Sequence, residues 1–457
     1  MQLQRIETPG IAHYAYVLAD GVEAAVIDPR RDAAEYLGIA AAMGARITHI
    51  VETHRQEDFV MGSQWLARHT DAKIVNGTHS CFGRGDLRLE DSEHFKLGGL
   101  RIEALHTPGH TPESMCYAVY ARDEKIPWCV FTGDTLFFGE TGRTDLPDET
   151  SAQENAATLY RSVHEKLAPL GDTPLVLPAH GPGSVCGSGM QDRPMSTLGE
   201  EKRYNPVFTH GCDDFSRTKA AENLPRPPYF RHMEKVNLAG GMEPQVTDGG
   251  PQLLAVDAFV EATARGKIFD LREPEAFAGG HISGSYSLWL GGVPAFGGWI
   301  SDGETPVYLV GDGGDDVKIA LQHLGRIGID CVSGALAGGF GSWRSSGKAI
   351  ASSGTVSVDG LHDRLGEFQI LDVREAGEFD AGHIEGAEHA YVGDLEQTIS
   401  ELSLHRDEPV VVMCSVGHRA SLAVSILLRN GYEQVHNLLG GMLAWQAAGH
   451  PIVDGDD

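Results

Sequence analysis

Cysteine is scarce, with seven residues in a chain of 457, at positions 81, 116, 129, 186, 212, 331 and 414. An odd, unevenly spaced set is not a disulfide framework and suits a reducing compartment, so a cytoplasmic location is expected. Long apolar runs are absent too. Runs such as Val410 to Cys414 span a few residues, where about 20 are needed to cross a bilayer. The opening Met1-Gln2-Leu3-Gln4-Arg5-Ile6-Glu7 has neither the basic start nor the apolar stretch of a secretion signal. Positive charge is in short supply, with 36 Lys and Arg against 64 Asp and Glu, a net −28. Such a surface repels phosphate backbones and anionic headgroups, which argues against nucleic-acid and membrane partners. What remains is an ordinary globular composition, 41% hydrophobic and 22% charged, and its length suggests about three domains.

Two glycine-rich seams, at residues 239–251 and 351–354, divide the chain into domains at 1–240, 253–350 and 357–457. The two smaller blocks repeat each other. Phe269-Asp270-Leu271-Arg272-Glu273 with Gly280-His281-Ile282 matches Leu371-Asp372-Val373-Arg374-Glu375 with Gly382-His383-Ile384, and Asp270 and Asp372 are 102 positions apart. Trp343 and Trp445, and the pairs Gly338-Gly339 and Gly440-Gly441, fall at the same offset. In each copy short apolar strands alternate with helical patterns, which predicts a parallel sheet covered by helices.

The first block carries its chemistry at strand ends. Strands at 47–53, 100–105, 128–132 and 175–178 run into Thr53-His54, Gly109-His110, Gly133-Asp134 and Ala179-His180. Each turn is short and rich in Gly or Pro, so four potential ligands reach one rim. Two imidazoles and a carboxylate with open positions suit non-haem Fe(II), and the same donors suit a catalytic zinc. The spacing leaves the element open.

At these residues the block resembles the metallo-β-lactamase fold. The superfamily pattern T-H-x-H-x-D-H reads here Thr53-His54-Arg55-Gln56-Glu57-Asp58-Phe59, so an amide and a phenyl replace two histidines. That compromises a two-metal hydrolytic centre. The surviving set, His54, His110 and Asp134, resembles the single-iron triad of persulfide dioxygenases, as do the segments Gly142-Arg143-Thr144-Asp145 and Glu200 to Pro206. The resemblance implies one Fe(II) per chain, with zinc as a possible substitute. It reduces Asp58 and His180 to hydrogen-bonding support. Arg143 is expected either to bind a substrate carboxylate or to pair with Asp145. Cys186, in a glycine-rich loop, is expected either to border the pocket and carry sulfur or to pack as a small buried side chain.

The last block holds Cys414-Ser415-Val416-Gly417-His418-Arg419 between an apolar strand and a helical pattern. A loop of that kind places a helix N-terminus under the sulfur, which favours a thiolate nucleophile with His418 and Arg419 beside it. Together with Asp372-Val373-Arg374 and Trp445, it resembles the rhodanese sulfurtransferases. In the middle copy, aligning Pro306 with Pro409 puts Gly311 in the place of Cys414 and Asp315-Asp316 in the places of His418-Arg419. That copy is expected to be inactive.

The reading is an α/β multidomain chain: an αββα metallo-β-lactamase-like sandwich followed by two rhodanese-like domains with parallel sheets. The implied reaction oxidises a low-molecular-weight persulfide, such as glutathione persulfide, with O2 to sulfite. Sulfane-sulfur transfer at Cys414 would make or use thiosulfate. Homo-oligomerisation belongs to the same expectation. The competing readings are a glyoxalase II-like thioester hydrolase, which needs two metals, and a sulfur-carrier scaffold whose metal domain is vestigial.

Overall fold

Alternation of side chains along the first strands decides the architecture. The structure is a computed structural model that describes every residue except 123, 147–148, 188, 223, 244–249 and 455–457, so part of the first glycine-rich seam lies outside it. It has two compact units, residues 1–244 with 326–328, and residues 245–325 with 329–457.

In the first unit, strands β1 (Gln2–Thr8), β2 (His13–Asp20), β3 (Glu23–Ile27), β4 (Arg46–Val51), β5 (Lys73–Gly77) and β6 (Leu87–Leu89) form one sheet in that order. A second sheet contains β7 (His94–Leu97), β8 (Leu100–His106), β9 (Met115–Ala121), β10 (Cys129–Gly133), β11 (Leu175–Pro178) and β12 (Ser196–Thr197), ordered β12-β11-β10-β9-β8-β7. In β2, Tyr16 and Leu18 join a core with Ile102, Tyr117, Val119 and Phe131 of the other sheet. Their neighbours Ala15, Val17 and Ala19 turn the opposite way, toward the helical residues Tyr36, Ala40 and Leu66. In β9 and β10, Ala118 and Val130 likewise face Ala156, Val163 and Phe215. A period of two with both faces apolar requires cover on both sides, and the result is helix, sheet, sheet, helix.

The second unit holds two five-stranded sheets. The first copy has β13 (Leu253–Leu254), β14 (Lys267–Asp270), β15 (Tyr286–Ser287), β16 (Val307–Val310) and β17 (Val332–Leu336), ordered β13-β17-β16-β14-β15. The second has β18 (Gly354–Val356), β19 (Gln369–Asp372), β20 (Glu388–His389), β21 (Val410–Met413) and β22 (Val435–Leu438), ordered β18-β22-β21-β19-β20. All pairings in both are parallel.

The repeated motifs are scaffold. Asp270 grips Arg272, whose Nη2 donates to the Gly280 carbonyl at 2.8 Å; Asp372, Arg374 and Gly382 do the same at the same distance. His281 stacks on Phe277 and His383 on Phe379. Trp343 and Trp445 each donate to a carbonyl six residues on, at 2.9 and 2.8 Å.

Candidate metal centre and thiol site

Four strand ends of the sandwich supply the first site. His54 follows β4, His110 follows β8, Asp134 follows β10 and His180 follows β11. All four side chains are buried. One ligand atom each of His54, His110 and Asp134 lies within 4.8 Å of the other two. Asp134 Oδ2 is 3.7 Å from His54 Nε2 and 3.4 Å from His110 Nε2.

The opposite nitrogens are tied back. His110 Nδ1 lies 2.8 Å from the Arg143 carbonyl, which can only accept, so Nδ1 carries the proton and Nε2 presents its lone pair. His54 Nδ1 lies 3.0 Å from Thr53 Oγ1, whose hydroxyl donates to Asp28 Oδ2 at 2.8 Å, so His54 is fixed in the same tautomer. Burial pushes the His54 imidazole down to about 3, which keeps it neutral. Burial also opposes ionisation of Asp134, but His180 and His54 outweigh it and hold the carboxyl below the usual carboxylate range. His110 Nε2 and Asp134 Oδ2 are buried without a hydrogen-bond partner. A buried unpaired group of this kind costs about 1–3 kcal/mol, so the donors fit a bound cation and are poorly arranged without one.

Asp134 Oδ1 takes a different partner, His180 Nδ1 at 2.8 Å, and His180 Nε2 lies 2.9 Å from Asp58 Oδ2. Burial opposes a charged His180, yet the two carboxylates raise its pKa well above the ordinary value, so both nitrogens are donors. Gln56 sets its amide nitrogen 3.4 Å from His54 Nδ1, and Phe59 packs its ring 4.1 Å from that of His13. Cys186 stands with Asp58 and His180, 2% exposed. Burial pushes its thiol well up, so it is a neutral packed side chain.

Arg143 is not open to a substrate carboxylate. Its guanidinium holds Asp145 with bonds of 2.7 and 2.6 Å and donates to the carbonyls of Val185, Leu224 and Pro225 at 2.9–3.1 Å. Those bonds use all five N–H donors. Of the two expectations, the ion pair is the one found, and the residue meets the site through its backbone carbonyl instead. A Cβ at the preceding Gly142 would fall 2.8 Å from His110 Nδ1 and 2.3 Å from the Asp134 carbonyl oxygen, which explains a glycine there. The sequence places Thr53 beside His54 but does not show its bond to that imidazole, and nothing in the sequence marks Asp28, which lies 25 residues away.

The second site lies in the last copy. Cys414, 1% exposed, follows β21. Its sulfur accepts from the Gly417 N–H at 3.1 Å, and a helix, His418–Arg429, starts directly beyond. Arg419 directs its fork to Glu378 (2.6 and 2.8 Å) and to Ser415 Oγ (2.8 Å), so it braces the loop. His418 Nε2 stands 3.3 Å from Glu273 Oε2, and its ring lies 5.1 Å from Trp289. Both neighbours belong to the middle copy. Ser287 of that copy bonds Ser421 at 2.7 Å, so the two copies share a packed seam beside the loop.

The middle copy fills its own loop. Asp316 Oδ2 accepts the N–H groups of Asp312 and Gly313 at 3.2 and 3.1 Å, taking backbone donors that would otherwise hold an anion. A Cβ on Gly339 would strike the Gly311 carbonyl oxygen at 2.0 Å, as one on Gly441 would strike that of Cys414 at 2.2 Å. Gly311 therefore stands where Cys414 stands.

Known proteins agree with this layout. The metallo-beta-lactamase superfamily matches residues 8–180, and the rhodanese-like domain matches residues 255–346 and 357–448. A crystal structure of a metallo-beta-lactamase from Staphylococcus aureus subsp. aureus COL superposes with a TM-score of 0.65 at 28% identity, covering 73% of this chain and 98% of that one. Fold and sites thus define a metallo-beta-lactamase-fold protein extended by two rhodanese-like domains. Mitochondrial persulfide dioxygenase ETHE1 of Bos taurus and its Homo sapiens counterpart are each 30% identical to this chain over 249 residues, 53% of it and 89% of theirs. The chain belongs to the persulfide dioxygenase family, as a fusion with two C-terminal rhodanese-like domains.

Proposed function

We propose that this chain oxidises the persulfide of a low-molecular-weight thiol with O2 at one ferrous ion held by His54, His110 and Asp134, and moves sulfane sulfur at Cys414, in sulfide or persulfide detoxification. The observation that carries this reading is the convergence of three buried donor atoms, two of them unpaired, in a relative of named persulfide dioxygenases. Ferrous iron bound there would supply the redox chemistry: O2 takes four electrons from the outer persulfide sulfur, water contributes the third oxygen, and sulfite, free thiol and two protons are the products. Zinc fits the same donors without redox chemistry.

The protein's own part is orientation. Thr53 and the Arg143 carbonyl fix the two imidazole tautomers, and the His180–Asp58 pair turns Asp134 so that a single oxygen faces the site. At the second site the sulfur of Cys414 attacks the outer sulfur of a donor. The S–S bond of the donor breaks, sulfite or thiol leaves with the bonding pair, and a cysteine persulfide remains until an acceptor takes its outer sulfur. The Gly417 N–H, bonded to Cys414 Sγ, stabilises negative charge on the attacking sulfur.

Oxygen uptake with glutathione persulfide tests the reading. Wild type is expected to consume O2, His110→Ala to lose at least about 99% of the rate, and Cys414→Ser to keep uptake while losing thiosulfate formation or use. Uptake persisting in His110→Ala would reject the ligand assignment.

A further inference from the structure

We propose a second metal position in the first unit, formed by His79, Cys81 and Glu113 and suited to a thiophilic divalent cation such as Zn2+. The three residues come from two loops, one following β5 and one preceding β9. One ligand atom from each lies within 4.8 Å of the other two. They share no residue with the His54–His110–Asp134 set, and the inference stands whether or not that set binds iron.

Glu113 is the independent pointer. It is fully buried; its Oε1 accepts the Arg55 N–H at 3.3 Å, while Oε2 has no partner. A carboxylate oxygen hidden from water and unpaired is costly unless a cation meets it. His79 Nδ1 accepts the Cys81 N–H at 3.2 Å, so Nδ1 carries the ring's lone pair and is the nitrogen an ion would take in exchange for that bond. Cys81 also lines a cavity of about 460 Å³ that connects it to solvent, walled by Glu57 and Glu234 but also by Arg55, Arg226, Arg231 and Lys235, so an ion enters against local positive charge. Thiolate, imidazole and carboxylate with a fourth position left for water is a donor set that borderline-soft Zn2+ takes readily and hard cations do not.

Arg55 lies against the same thiol and is the cation that an incoming ion displaces. A thiol that becomes a thiolate ligand gives up one proton from sulfur to solvent for each ion bound. Glu113 lies three residues beyond His110 and Arg55 directly follows His54, so occupancy bears on both imidazole-carrying loops.

The test is titration of the full chain, with iron already in the first site, using Cd2+ as probe. The readouts are the ultraviolet thiolate-to-cadmium absorption and the protons released. One equivalent is expected to saturate the band with one proton released. Cys81→Ser should abolish the band, and Glu113→Gln and His79→Ala should weaken binding about 10–100-fold. His79 lies outside the buried core, so that variant removes a ligand without opening a cavity, and its thermal midpoint is measured alongside. An undiminished band in Cys81→Ser, no band in wild type, or wild-type affinity in His79→Ala would each overturn the proposal.

Discussion

At the residue scale, the convergence of three donors is legible in the sequence and their supports are not. His54, His110 and Asp134 each follow an apolar strand and a tight turn, so strand ends alone placed them on one rim. Arg143 shows why the rest was hidden. Its charge suggested a substrate anchor, but whether a guanidinium faces solvent or is fully spent on Asp145 and three carbonyls depends on segments up to 82 residues away. Arg143→Ala is therefore expected to act on stability, costing about 3–5 kcal/mol in urea unfolding by leaving Asp145 and those carbonyls unpaired. A raised KM with unchanged stability would favour the substrate role. Glu378 gives a pH test. Burial opposes its ionisation, but Arg419 and Ser415 hold its carboxyl down at about 2, against an ordinary value near 4.5. A depressed carboxylate stabilises the fold above the unfolded value, and that contribution disappears as pH falls through the folded one. Glu378→Gln should thus lower the thermal midpoint at pH 7 by an amount worth about 1 kcal/mol, discounted because the side chain is 35% exposed. The gap to wild type should close between pH 4.5 and 2.

At the element scale, the duplicated sheets were readable because the same Asp–Arg, Phe–His and Gly–Gly pairs recur in both copies. The offset is 102 through β14 and β19, becomes 103 at β16 and β21, and returns to 102 where β17 and β22 end. Ser333 accounts for the return, as the unpaired residue of a bulge between Val307 and Tyr308. A sequence alignment sees only the shift; the bulge shows how the strand absorbs it. The self-filled loop of the middle copy is likewise invisible in the sequence, which shows a carboxylate in the place of Arg419 but not that it occupies the backbone donors itself. The paired glycines separate structure from chemistry. Gly441→Ala should push against the Cys414 carbonyl and cut sulfur transfer at least about tenfold while leaving O2 uptake intact. Gly339→Ala, its counterpart, should lower stability without touching transfer. Equal loss of transfer in both variants would contradict the assignment of the working loop to the last copy.

At the scale of the whole molecule, the two candidate sites reside in separate compact units on one chain, and no helix among the described residues is long and apolar enough to cross a membrane. The net charge of −28 bears on encounter with anionic sulfur compounds. Repulsion between like charges falls as salt shortens the screening length, so kcat/KM for an anionic persulfide should rise between about 0.01 and 0.15 M ionic strength. A falling value would mean that local cations dominate the approach. The most direct measurement on the central claim is iron content after anaerobic reconstitution of wild type and of Asp134→Ala. One iron per wild-type chain and none in the variant is the expected result; a paired metal cluster in wild type, or iron retained in the variant, would contradict a single ion held by two imidazoles and one carboxylate.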